Sequence, residues 1–425
     1  MKIAVIGSGI SGNVAAYYLS RRHDVTLFEK RDRLGGHSAT VDIAYHHPDD
    51  RMSVDTGFIV YNELNYPGLT RLFAELGVET EQSNMSFGFS ANSGALEWSG
   101  QSLSSVFAQK RNLLNPFFWR MLRDIFRFNK AAARDHESGL SGDETLGEWL
   151  DRYGFSKSFR DRYLLPMGAA IWSTPASEIE SFPARSFLHF FYNHRLIHSD
   201  RPQWRTVRGG SREYVKKLSA ASAARTILNA QVTSVERHDN RVFVHANGRE
   251  EAFDQVVFAT HSDQALAALT DASSEERAIL SAVRYLPNQV YLHCDDRLMP
   301  KRRNVWSAWN YLTERQSAQD GTMTVSYWMN LLQNLDNDKP VFVTLNPAVP
   351  PAAEKTFGHF VYDHPQFDQA ALRAQESLDT IQGMNGIWFC GAWTGYGFHE
   401  DGLQSAIRVC EGLEAAFGRV REAAE

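Results

Sequence analysis

The sequence predicts an α/β protein: a Rossmann-type domain joined to a discontinuous α+β domain of mixed sheet and helical cap. Three observations predict it. A glycine-rich turn links a strand pattern to a helix pattern at the start of the 425 residues. Four helical patterns follow, and later four strand-like runs. A short apolar run and a helix close the chain.

Lys2-Ile-Ala-Val-Ile6 is a short apolar run with β-branched residues and reads as a buried strand. It enters Gly7-Ser-Gly-Ile-Ser-Gly12, after which Asn13–Leu19 has helical spacing. A second strand, Asp24–Phe28, ends at Glu29. A dinucleotide needs these residue types. Gly7 permits the tight turn, Gly9 lets backbone approach a pyrophosphate, and Gly12 lets helix and strand pack closely. The helix start offers free N–H groups and a positive dipole end to phosphate. Glu29 accepts hydrogen bonds from ribose hydroxyls, and an acid there disfavours the 2′-phosphate of NADP. The alternative is a glycine turn in an α/β protein that binds no nucleotide.

Composition bounds the function. Apolar residues make up 43% and charged residues 22%, so the chain is not wholly disordered. A net charge of −6 argues against nucleic acid as a partner. Cys294, Cys390 and Cys410 have no CxxC spacing, which disfavours a disulfide framework and a structural zinc site. No metal is expected. Met1-Lys2 leads directly into the first strand with no signal peptide pattern, so a reducing, cytoplasmic setting is expected. Thr380–Phe398 lies within the longest stretch without Asp, Glu, Lys or Arg, and its glycines and polar residues do not suit a membrane span.

Glu29-Lys-Arg-Asp-Arg-Leu-Gly-Gly-His-Ser38 adds a glycine pair that an NAD site does not need. Here the chain resembles the flavin-containing amine oxidase superfamily, with protoporphyrinogen oxidases and phytoene-type desaturases. Further segments carry the likeness: Val54-Asp-Thr-Gly-Phe-Ile59, Arg208-Gly-Gly-Ser-Arg-Glu-Tyr214, Ile227–Val235, Asp254–Thr260, Ile387–Trp393 and Gly402-Leu-Gln-Ser-Ala406. The resemblance implies non-covalent FAD. It assigns the cofactor to Gly7, Gly9, Ile10, Ser11, Gly12, Glu29, Lys30, Arg33, Gly35, Gly36, His37, Thr56, Gly57, Phe58, Val232, Ala259, Gly391, Ala392, Gly402, Leu403 and Ala406. His37 stands where many members have Arg. The motifs place an FAD domain in 1–62, 205–262 and 385–425, with a substrate domain in 63–204 and 263–384. The first insert is helical at Tyr66–Leu76, Phe117–Arg134, Thr145–Tyr153 and Arg185–Arg195. The second has strand-like runs at Gln289–His293, Val305–Leu312, Thr322–Trp328 and Val341–Leu345.

Ala170-Ile-Trp-Ser-Thr-Pro175, Asn193-His194, Ser326–Asn330 and Gly397–Gly402 resemble a bacterial subgroup of FAD-dependent oxidoreductases. That subgroup is associated with cyclopropane-fatty-acid synthases, which implies a lipid or acyl substrate. Two departures from amine oxidases are visible. Their flavin-side lysine has no match on the strand Asn288–Cys294, where His293 is the candidate position. The aromatic ring ahead of their last helix is absent from Glu400–Leu403.

The candidate acids and bases are His399, Glu400, His293 and Tyr396, with Asp401 read first as a helix cap. His189, His194 and His198 read as ordinary polar histidines. Arg120, Arg123, Arg127, Lys130 and Arg134 fall on one helix face, opposite Phe118, Met121, Leu122, Ile125 and Phe126. That face suits peripheral docking on anionic lipid at the inner membrane face, or is simply a solvated charged face. The expected function is FAD-dependent hydride removal from a C–H position of an apolar substrate, such as an acyl chain in a desaturase or dehydrogenase. The rivals are a flavin amine oxidase and a redox-silent, flavin-bound lipid-binding protein.

Overall fold

Alternation inside one apolar run builds the cofactor layer. The computed structural model describes residues 1–45, 47–139, 143–198, 200–314 and 324–424. Strand Lys2–Ile6 is central in a five-stranded parallel sheet, ordered 225–227, 24–28, 2–6, 255–258, 387–389. Successive side chains of a strand point to opposite faces. Ile3 and Val5 therefore pack on one face with Val14 and Ala15 of helix α1 (Ile10–Leu19). Ala4 and Ile6 pack on the other with Phe253, Val256 and Leu280. Burial on both faces explains why the run is continuously apolar.

Four further helices matter here: α2 (Pro67–Leu76), α3 (Pro116–Glu137), α4 (Ala184–Asn193) and α5 (His399–Ala424). A mixed seven-stranded sheet forms the second layer, ordered 356–366, 284–293, 342–345, 324–328, 309–313, 87–91, 96–99. Only 309–313 and 87–91 pair in parallel within it. Helices α3 and α4 pack over this sheet, with Phe128, Phe187, Phe190 and Phe191 in the shared core.

Three expectations need correction. The domain limits at 62 and 63, and at 384 and 385, do not match the packing. Leu69, Leu72 and Phe73 of α2 join the core of the parallel sheet, as do Leu280, Ala371, Ala374 and Ile381 on its other face. Apolar faces on both inserts thus complete the cofactor layer. The strand expected at Val305–Leu312 begins at Trp309, because 303–305 form a single 3-10 turn. Phe126, placed with Phe118 and Met121 on the apolar side opposite the cations, is 75% exposed. In the run Thr322–Trp328, Thr322 and Met323 lie outside the described residues.

Candidate active site

The strand–turn–helix at the amino terminus creates the cofactor end of the site. Gly7 adopts φ +96°, and a Cβ there would stand 2.8 Å from the Ala259 carbonyl oxygen. A Cβ on Gly12 would stand 1.8 Å from the Gly7 carbonyl oxygen, so only glycine lets α1 begin this close to the turn. Gly9 differs: its Cβ would enter open space. Helix α1 starts after Gly9 with no side-chain cap, leaving first-turn N–H groups free for an anion.

Glu29 is fixed at the end of its strand. Its carboxylate accepts from the Ser8 N–H (3.0 Å), the Ser8 hydroxyl and the Arg31 N–H (2.9 Å). The chain from 227 to 230 closes on it, with the Glu29 N–H donating to Ile227 and the Ala230 N–H donating to Glu29. Val232 follows on the same wall. Gly36 lies against Gly9, where a Cβ would come 3.0 Å from the Gly9 Cα. Asp55 ties the second glycine pair to this end, accepting from the N–H and hydroxyl of Ser211, from Thr40 and from Gln333. Burial pushes the Asp55 carboxyl up to about 6.

One cavity of about 830 Å³ runs from this turn into the second layer. At its cofactor end it is lined by Gly7, Gly9, Ile10, Ser11, Glu29, Lys30, Gly36, His37, Thr56, Gly57, Phe58, Val232, Ala259, Gly391 and Ala392. The other six expected cofactor residues are not on its wall. Gly12 and Gly402 are packing positions: a Cβ on Gly402 would strike Ile10 and Ser11, so glycine lets α5 meet α1. Leu403 and Ala406 are buried in the same helix contact. Arg33 folds back onto the carbonyls of Leu34, Gly36 and Ser38, and the Gly35 N–H donates to Ser8. These residues shape the wall from behind.

The residues present fit FAD. An uncapped helix start, a glycine whose Cβ would invade the cavity, and an acid held at the second strand's end suit pyrophosphate and ribose. His37 Nε2 is buried with no protein partner. Strand ends from 6–9, 258–260 and 389–392 converge on this wall, from three distant parts of the chain.

The acid–base candidates separate. His399 and Tyr396 line the cavity. The His399 ring stacks on Phe58 at 3.7 Å between centroids, and its Nε2 meets the hydroxyls of Ser38 (2.9 Å) and Tyr214 (3.0 Å). Burial, with repulsion from His37, lowers its pKa to about 3, so it is neutral near pH 7. Glu400 points elsewhere: its two oxygens accept from the Gly68 and Leu69 N–H groups and cap α2. His293 is fully buried on the far face of its strand, with Nε2 on Thr344 and Nδ1 accepting from the Asp295 N–H. The candidacies of Glu400 and His293 are corrected on these grounds. Asp401 accepts from the Phe398 N–H and caps α5, as expected of it.

Sequence reasoning missed two groups. His261 and His364 join His37 in a buried set of imidazoles, at 6.3 and 5.6 Å from the His37 ring. Burial lowers His37 and His364 to about 3 and His261 to about 4. No periodicity in the sequence marks them, because two come from strand ends far from His37. The second group is an aromatic arm of the cavity, lined by Met85, Phe87, Tyr163, Met167, Ile171, Trp172, Phe190, Leu196, Trp204, Trp309 and Tyr327. His194 sits among them, stacked on Phe190 at 3.8 Å. Its Nδ1 lies 3.1 Å from the Phe190 carbonyl oxygen, so Nδ1 carries the proton and Nε2 is left as an acceptor. Burial lowers its pKa to about 4. Among the described lining residues the carboxylates are Glu29 and Asp363, and the arm has none. Tyr396, Phe398 and His399, just ahead of the stretch 400–403, line the cavity with their rings.

Comparison with known proteins agrees with this architecture. The sequence profile of the flavin containing amine oxidoreductases matches residues 10–327. AofH of Mycobacterium tuberculosis, whose name places it among flavin-containing monoamine oxidases, is 26% identical over 261 residues, 59% of this chain and 55% of that one. Prenylcysteine oxidase 1 of Bos taurus is 24% identical over 289 residues, 62% of this chain and 53% of that one. The matched region thus spans about half the length of these curated relatives. A fatty acid isomerase from P. acnes that produces CLA shares the fold with TM-score 0.69 and 17% identity, over 95% of this chain and 96% of that one. Putrescine oxidase bound to putrescine does so with TM-score 0.68 and 17% identity, over 98% and 99%.

Proposed function

We propose, from the premise that this chain belongs to the flavin containing amine oxidoreductase family and that its cofactor is FAD, that it removes a hydride from a C–H position of an apolar, acyl-like substrate. The observation that carries this reading is the continuity of the cavity: one volume joins the glycine turn to an aromatic arm without a carboxylate. Gly9, the start of α1 and Glu29 would hold the pyrophosphate and ribose, and Gly57 and Phe58 would flank the ring system. Bound there, FAD would supply the two-electron acceptor for the hydride, with O₂ or another acceptor as its oxidant.

The chain's own residues do the rest. Phe87, Met167, Ile171 and Trp172 exclude water and fix the carbon chain, which supplies orientation rather than chemistry. A desaturation must also lose a proton from the carbon next to the one giving up hydride. His194 Nε2 is the acceptor placed in the arm, neutral near pH 7 and oriented through Nδ1. The electron pair of that C–H bond then closes the new double bond. Arg201, on the same cavity wall, supplies a cation for an anionic head group. His399 acts as a wall, since its Nε2 already meets two hydroxyls.

Amine oxidation is the second reading, favoured by the ring wall of Tyr396, Phe398 and His399. Anaerobic mixing of the FAD-loaded protein with fatty acids, and separately with mono- and polyamines, tests both. The proposal expects flavin bleaching by the fatty acid and a product two hydrogens lighter by mass spectrometry. Bleaching by amines alone, with peroxide release in air, overturns it. Bleaching by neither, with fatty acid still bound, leaves a redox-silent lipid binder.

A further inference from the structure

We propose that helix α3 and the turn before it form a docking surface for an anionic lipid bilayer. The proposal stands on surface geometry and does not depend on which substrate the cavity holds. Of the eleven large apolar side chains exposed among the described residues, six lie between positions 103 and 126. They are Leu103, Leu113, Leu114, Phe117, Trp119 and Phe126, with Leu114 90% and Leu103 80% exposed. The turn 110–114 packs against the start of α3, and Phe107, which follows the segment 103–106, meets Phe118 and Trp119. The Trp119 indole N–H donates to the Leu113 carbonyl, and its ring meets Phe107.

The charge on this face differs from the five-cation stripe that the sequence predicts. Arg127 is paired with Asp124 at 2.6 Å and Arg134 with Asp135 at 3.1 Å. Arg120, Arg123 and Lys130 are exposed and have no ionic partner among the described residues. Trp119, Arg123, Phe126 and Lys130 are spaced i, i+4, i+7 and i+11, so rings and cations alternate along one exposed stripe of α3. On a chain of net charge −6, a local face of free cations and bare rings complements a bilayer. Cations meet anionic headgroups while Trp and Phe enter the interface. A two-fold contact with a second copy would instead set Arg120, Arg123 and Lys130 against themselves. The face lies beside the aromatic arm: the Ser158 hydroxyl donates to the Phe117 carbonyl, and Tyr163 of the following turn lines the cavity. Among the described residues no helix is long and apolar enough to cross a membrane.

The test is sedimentation of the full-length, FAD-loaded protein with vesicles of phosphatidylcholine, with and without phosphatidylglycerol. The protein should sediment with the anionic vesicles, and added salt should release it. Removing three cations in R120Q/R123Q/K130Q should weaken binding on the order of a hundredfold, from about fivefold per cation. W119S/F126S should weaken it at low salt as well, because the rings act independently of screening. Bound-flavin absorbance and circular dichroism must match the parent chain in both variants. Equal partition of all variants overturns the proposal, as does absence of binding to anionic vesicles. Loss of a dimer in the same variants, measured by light scattering without vesicle binding, also overturns it and assigns the face to a second copy.

Discussion

The two ends of the cavity are built by different means. At the cofactor end the shape is set by backbone: Gly7 and Gly12 are positions where any side chain meets another main-chain atom. In the arm it is set by side chains such as Phe87, Tyr163, Trp172 and Phe190, delivered from separate strands and helices. The first end tolerates almost no substitution but needs few residues. The second tolerates volume-conserving exchange but needs a whole layer to hold it.

The largest effect should come from separating fold from cofactor at the first end. Gly12→Val places atoms inside the Gly7 carbonyl and should leave protein that neither folds stably nor binds FAD. Gly9→Val meets open space, so the apoprotein should keep its melting temperature while FAD binding fails. Flavin-to-protein ratio and thermal unfolding of both variants check this contrast. Loss of fold in both would erase the distinction between wall and packing glycines.

At the arm, His194→Phe keeps the ring and removes the acceptor nitrogen. Turnover should fall by roughly 10²–10⁴-fold, the usual range for a general base. Flavin content and anaerobic substrate affinity should be unchanged. Single-turnover kinetics checks it, and an unaltered rate would exclude His194 as the base.

The pH dependence of stability sharpens the comparison further. His37, His364 and His399 lie near about 3, and His261 and His194 near about 4, each lowered first by burial. The unfolded chain therefore binds protons at these groups before the folded chain does. Stability should rise with pH from about 4 to 6.5 and be lost as pH falls through that window. Asp55 and Asp401 are both raised to about 6, again by burial, and oppose the trend, since their contribution is lost as pH rises through that value. With His293, also lowered to about 4 by burial, six imidazoles outweigh two carboxyls. His37→Gln should flatten the slope by about 1.4 kcal/mol per pH unit, read from urea unfolding at several pH values.

The smallest effect is expected at the rim. Arg201→Ala should raise the KM for a substrate with an anionic head by about tenfold or less, with kcat unchanged, because exposed charges are well screened. An equal effect on a methyl ester would remove the head-group role.

Much of the cofactor end was legible in the sequence, since Gly7, Gly9, Gly12 and Glu29 follow in order along one short segment. Gly402 was legible as a glycine, but its task proved to be the contact of α5 with α1. Glu400 could not be read correctly, because its partners, the Gly68 and Leu69 N–H groups, lie more than 330 positions away. His194 was passed over for the same reason: its tautomer depends on α4, but its place on the cavity depends on the seven-stranded sheet beneath.

The sequence by itself determined where the main chain had to run without side chains, and thus the nucleotide turn and the parallel layer around it. Those constraints are local, set by φ, ψ and alternation over a few residues. Only the tertiary structure decided which histidines became neutral, which acid became a helix cap, and which rings of α3 stayed in solvent. Burial and partner choice come from segments far apart in the chain, and no local pattern encodes them.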